Sequence, residues 1–96
     1  MNIKQSLVSW SGGKDSCLAL WRAQKLGYKI TNLLTALDET GFKTRSHGVH
    51  KSLILSQGKA LDVCNEFIST SWQNYEAEFI QQLIRLRNQN IDYAIF

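Results

Sequence analysis

The chain has 96 residues, 44% of them hydrophobic and 20% charged, and a formal net charge of +3. That length allows one small domain with a modest core, and the composition is that of a globular protein and not a disordered one. The basic residues are scattered singly, which suits an anionic ligand and argues against nucleic acid as a partner.

The first strand is expected at residues 4–9, where Leu7 and Val8 lead into Trp10 and the Gly12, Gly13 pair then breaks the run. Beyond Ser16, the residues Cys17, Leu18, Leu20, Trp21 and Leu26 recur at mixed three- and four-residue steps, and Gly27 is a natural stop. This spacing predicts a helix over residues 16–26, with Cys17, Trp10 and Trp21 as packing residues. Lys29–Leu37 carries Ile30, Leu33, Leu34 and Leu37, is too short for a helix, and reads as the second strand. The polar stretch DETGFKTRSHGV, residues 38–49, is a loop with a small hairpin about Thr40 and Gly41. Residues 51–63 form a second helix around Leu53, Ile54, Leu61 and Val63. Gly58 inside it costs about 1 kcal/mol relative to alanine, so it marks a close packing contact or a weak helix. NEFIST, residues 65–70, is the third strand, followed by Trp72 as a packing residue. NYEAEFIQQLIRLRNQN is the clearest helix. Asn74 caps it, Glu76 and Glu78 lie in its first turn, Arg85 and Arg87 lie near its end, and Tyr75, Phe79, Leu83 and Leu86 form its buried stripe. DYAIF, residues 92–96, is the fourth strand.

The order βαβαβαβ implies an α/β fold: a three-layer open parallel sheet with helices on both faces and right-handed crossovers. In such sheets a ligand binds at the carboxyl ends of the strands, where strand order reverses. SGGKDS lies at the carboxyl end of the first strand. Gly12 and Gly13 permit positive φ and a close backbone approach to an anion. Consecutive amides can form a nest, and the following helix adds its positive end. Ser11 and Ser16 offer hydroxyls, Lys14 a point charge, and Asp15 an acceptor suited to fixing the loop or to holding Mg²⁺ through water. The stretch fits neither G-x-x-x-x-G-K-[ST] nor G-x-G-x-x-G.

SGGKDS resembles the PP-loop of the ATP pyrophosphatases, the adenine nucleotide alpha-hydrolase-like superfamily. Together with SWSGGKDSCLALWRA, RSHGVHKSLILSQGKALDV and NYEAEFIQQLIRL, it is similar to the diphthine–ammonia ligase family and its bacterial relatives. The resemblance implies a Rossmann-like fold of the HUP type, with ATP and Mg²⁺ as cofactors. It implies that Ser9, Ser11, Gly12, Gly13, Lys14, Asp15 and Ser16 surround the phosphates, with Lys14 and Asp15 in catalysis. It implies that adenine packs against Thr35, Ala36 and Leu37, and that His47 and Gly48 face the nucleotide or the acceptor, His47 as a catalytic group. Arg45 reads equally as a phosphate contact or as a solvated arginine, and His50 is a lesser candidate.

Two departures stand out. Relatives continue past the position of Phe96 into a Gly-Asp-Ile segment, so residues 1–96 are expected to be an N-terminal PP-loop ATP-binding domain, incomplete relative to the family. Relatives also carry alanine where this chain has Gly58. The expected function is ATP-dependent ligation, with ATP cleaved to AMP and pyrophosphate to adenylate an acceptor, protein-bound diphthine or a small molecule. The alternatives are a non-catalytic nucleotide-binding module or fragment, and a PP-loop tRNA-modifying enzyme. Cys17 and Cys64 form neither CxxC nor a metal spacing, and no apolar run reaches membrane-spanning length. A cytoplasmic protein with reduced cysteines and no membrane partner is expected. A homodimer is one arrangement that would cover the edge of the fourth strand.

Overall fold

The computed structural model describes residues 5–45, 48–69, 71 and 73–96. Seven elements alternate: β1 (Gln5–Ser9), α1 (Lys14–Lys25), β2 (Lys29–Leu37), α2 (Lys51–Leu61), β3 (Cys64–Ser69), α3 (Tyr75–Arg87) and β4 (Tyr93–Ile95). The strands form one sheet in the order β3-β2-β1-β4, and every pair is parallel. The chain builds outward from β1 to β3 and then crosses back to place β4 on the other side of β1. Strand order therefore reverses between β1 and β4, beside the glycine loop.

Alternation along the strands divides the core into two layers. Val8, Trp10, Ile30 and Leu33 point to one face, where they meet Leu20 and Ala23 of α1 and Ile54 of α2. Leu7, Leu34 and Ile68 point to the other face and meet Leu86 of α3 and Ile91. The result is the three-layer α/β arrangement expected from the sequence, with α1 and α2 on one side and α3 on the other.

Several local expectations need correction. Helix α1 begins at Lys14, not Ser16, so Lys14 and Asp15 belong to its first turn. A first turn needs no apolar residue, and a carboxylate there is favoured by the helix dipole. The buried residues of α1 are Ser16, Leu20 and Ala23, at helical spacing. Cys17 and Trp21, one turn apart, lie on an exposed stripe; Trp21 is 54% exposed, with Lys25 Nζ 5.2 Å from its ring centre. Cys17 and Trp21 each follow a member of the buried stripe by one residue, which turns them about 100° away from it around the helix. Helix α2 ends at Leu61, where Asp62 takes a left-handed conformation (φ 57°, ψ 49°) and closes the last turn. Asn74 occupies the cap position of α3 but makes no side-chain cap bond; its carbonyl accepts from the Glu78 amide at 3.0 Å.

Gly58 is buried, and a Cβ there would overlap the side-chain amide of Asn65 on β3. Of the two sequence readings of this glycine, close packing is the correct one. The turn expected about Thr40 and Gly41 is present. The Thr40 amide donates to Asp38 Oδ1, the Gly41 amide to the Asp38 carbonyl, and the Asp38 amide to the Lys43 carbonyl at 2.8 Å. No described helix is long and apolar enough to cross a membrane.

Candidate functional site

The carboxyl end of β1 is fixed by a bond from the Trp10 amide to the Leu34 carbonyl, 2.8 Å. The chain then turns sharply. Gly12 sits at φ +83°, the left-handed region that favours glycine, whereas Gly13 is extended at φ −96°, ψ −179°. Only one of the two glycines uses the positive φ expected of both. Gly13 is the N-cap of α1 with no side-chain cap bond. The amides of the first turn of α1 have no intrahelical acceptor, and this end of the helix carries the positive end of its dipole.

The two serines expected as phosphate donors serve the loop itself. Ser11 Oγ accepts from the Gly13 amide at 3.2 Å, Ser16 Oγ donates to the Gly13 carbonyl at 3.1 Å, and the two hydroxyls are 3.3 Å apart. Ser16 is buried, whereas Lys14 and Asp15 are exposed at the mouth of the turn. The loop thus has a rigid inner rim of serines and an outer rim formed by one cation and one carboxylate.

A cavity of about 110 Å³ opens beside it, lined by Ser9, Trp10, Ser11, Ala36, Thr44, Arg45 and Tyr75. It lies where the carboxyl ends of β1 and β2 meet the loop after β2. That loop is held by bonds from the Arg45 amide to the Ala36 carbonyl (2.9 Å), from the Thr44 amide to the Val49 carbonyl (2.7 Å) and from the Val49 amide to Thr44 Oγ1 (2.9 Å). At the start of the loop, the hydrogen bond from the Thr40 hydroxyl holds the Asp38 carboxyl below its ordinary range, and the backbone amides of the turn add to this.

The structure brings together Ser9, Ser11 and Ala36 from the expected residues. Thr35 and Leu37, expected beside them against adenine, are buried at 2% exposure each and do not line the cavity. Alternation along β2 explains this: Ala36 faces the cleft side and its two neighbours face away. Gly48 is exposed and outside the cavity lining. His47 and Trp72 lie outside the described residues. Arg45, left open between two roles, does line the cavity. Tyr75, read as a core residue, is half-buried, lines the cavity and stacks on Phe79 (ring centres 5.8 Å apart, planes at 21°). Its place as the first residue of α3 was the available signal, because the helix that follows β3 starts at the same edge of the sheet. His50 is the N-cap of α2, with Nδ1 accepting from the Ser52 amide at 3.1 Å. Gln57 lies in the stretch that carries the family resemblance, but the sequence assigns it no role. Its Oε1 accepts from Trp10 Nε1 at 2.8 Å.

The donor set fits a nucleotide phosphate: an extended turn, free first-turn amides and an exposed lysine. Asp15 fits Mg²⁺ only in the manner of an ion held by one carboxylate, waters and substrate phosphates. Among the described residues no group of three or more His, Cys, Asp or Glu side chains is placed to hold a metal ion by itself.

Residues 4–95 match the diphthamide synthase N-terminal domain. No curated protein and no solved structure gives a significant match. The family match covers nearly the whole chain, the glycine turn and all four strands included. The chain belongs to the diphthamide synthase N-terminal domain family, a PP-loop domain of the ATP pyrophosphatase type.

Proposed function

We propose that this domain binds ATP with Mg²⁺ and takes part in the adenylation of an acceptor, with release of pyrophosphate, in an ATP-dependent ligase of the diphthine–ammonia ligase type. The observation that carries the reading is the turn at Gly12 and Gly13, set at the carboxyl end of β1 beside the strand reversal and opening directly into α1. Bound ATP supplies the adenylyl group. The chain's own contribution is placement and charge. The first-turn amides of α1 and Lys14 hold the phosphates, and Asp15 holds the ion through water. Ser11 and Ser16 keep the turn in shape. The cleft at Ala36, Arg45 and Tyr75 takes the nucleoside side. The acceptor is protein-bound diphthine or a small molecule, and the cytoplasm is the compartment in which such a reaction has its ATP.

A non-catalytic nucleotide-binding module is the second reading. It is favoured by the cavity lining, in which only Arg45 and Tyr75 among the described residues carry an ionisable side chain.

Calorimetric titration with Mg·ATP tests the shared part. Binding by the full chain, weakened about tenfold or more in Lys14→Ala, supports the phosphate site. Binding unaffected by Lys14→Ala would overturn the placement, and no binding at all would overturn both readings. Pyrophosphate released together with AMP separates the enzyme from the module.

A further inference from the structure

The glycine turn is also held by residues of α2 that do not line the cavity. Helix α2 lies across the loop, and two of its residues reach Gly12. A Cβ on Gly12 would stand 2.8 Å from Ile54 Cδ1 and 3.3 Å from Gln57 Oε1. The same Gln57 oxygen accepts from the indole of Trp10, two residues before Gly12, at 2.8 Å. Trp10 is 5% exposed, so its indole N–H has little access to water as an alternative partner. Gly58, the next residue, lets α2 seat tightly against Asn65 of β3. That seating is what brings Gln57 within reach of the loop.

We propose that Gln57 is a positioning residue for the PP-loop: it anchors Trp10 on one side of the turn and, with Ile54, walls Gly12 into its left-handed conformation. Its influence on ligand binding passes through the loop backbone and not through contact with the ligand. The inference rests on the nucleotide-site reading for its effect on ATP. Its effect on the loop stands in the ligand-free chain.

The test has two readouts on the full-length chain. The first is amide exchange without ligand at Gly13 and Cys17, whose N–H groups bond to Ser11 Oγ and to the Gly13 carbonyl. In Gln57→Leu, both amides should exchange at least about tenfold faster, because the buried indole N–H loses its acceptor. Gln57→Glu keeps an acceptor oxygen for Trp10 and should retain the protection. The second readout is Mg·ATP affinity, which should fall about tenfold in Gln57→Leu. In the Trp10→Phe background, the same Gln57→Leu change should have little further effect on either readout, because the shared bond is already gone. Leu86→Val, in the core of the opposite face, serves as a destabilised control and should leave both readouts unchanged. Wild-type exchange rates at Gly13 and Cys17 in Gln57→Leu would overturn the proposal even if the wild type binds ATP. Faster exchange in a chain that binds no ATP would keep the clamp and overturn the nucleotide reading. Equal losses in Leu86→Val would show a general stability effect and overturn the positioning role.

Discussion

Gly58 on α2 and Asn65 on β3 compete for one small volume. A Cβ on Gly58 would stand 2.7 Å from Asn65 Cγ and 2.8 Å from its Oδ1. Asn65 Oδ1 is itself buried and has no hydrogen-bond partner. Gly58→Ala should therefore destabilise the fold by about 1–3 kcal/mol through overpacking, although alanine is the better helix former. Adding Asn65→Ala removes the obstacle and the orphan acceptor together. The double variant should match or exceed the wild type in urea unfolding. A Gly58→Ala variant as stable as the wild type would show that the contact relaxes freely.

The two loop glycines should respond differently. Gly12→Ala combines a left-handed backbone with a clash against Ile54, for about 2–4 kcal/mol in all. That is a large share of the stability of a domain this size. Gly13 is extended, a conformation open to any residue, and Gly13→Ala should stay within about 1 kcal/mol of the wild type. Thermal unfolding of the two variants side by side checks the contrast.

His50 caps α2 through Nδ1, using a ring that must be neutral at that nitrogen to accept the Ser52 amide. His50→Ala should cost about 1 kcal/mol. His50→Asp should be at least as stable as the wild type near neutral pH, since a carboxylate is both a good cap and a favourable charge at a helix start. Chemical denaturation of the three proteins gives the order, and an alanine variant equal to the wild type would discount the cap.

Asp38 makes the turn at the start of the 38–50 loop acid-sensitive. Its carboxyl lies below the ordinary value of 3.8 in the folded chain, chiefly through the Thr40 hydroxyl. A lowered folded value means that the carboxylate supports the turn fully above the unfolded value. That support is lost as pH falls through the folded one. The Thr40 and Gly41 amide signals should shift together with Asp38 below the usual carboxylate range and stay flat in Asp38→Asn. Amides that titrate alike in both proteins would remove Asp38 as the cause.

The sheet, its order of elements and the position of the loop were legible because they rest on short-range signals. Leu7 and Val8 form a short apolar run, glycines stand at the breaks, and charges on α3 follow its dipole. What was not legible depends on which stripe of a helix meets the sheet. Cys17 and Trp21 read as packing residues of α1 from their apolar character, whereas the face that meets the sheet carries Ser16, Leu20 and Ala23. Tyr75 looked like the first member of a buried stripe, and only the geometry of the sheet edge makes it a cleft residue. The Gln57–Trp10 bond joins residues 47 positions apart, and no local pattern announces such a partner.

The cleft straddles the two halves of the hydrophobic interior. Trp10 belongs to the layer under α1 and α2, while Tyr75 opens the helix that covers the other face and rests on Phe79 there. A molecule seated between them would act as a rivet through the sheet. It would tie the two cores at the carboxyl edge of the sheet that separates them, and in a chain this small that tie would sharpen unfolding as well as raise its midpoint.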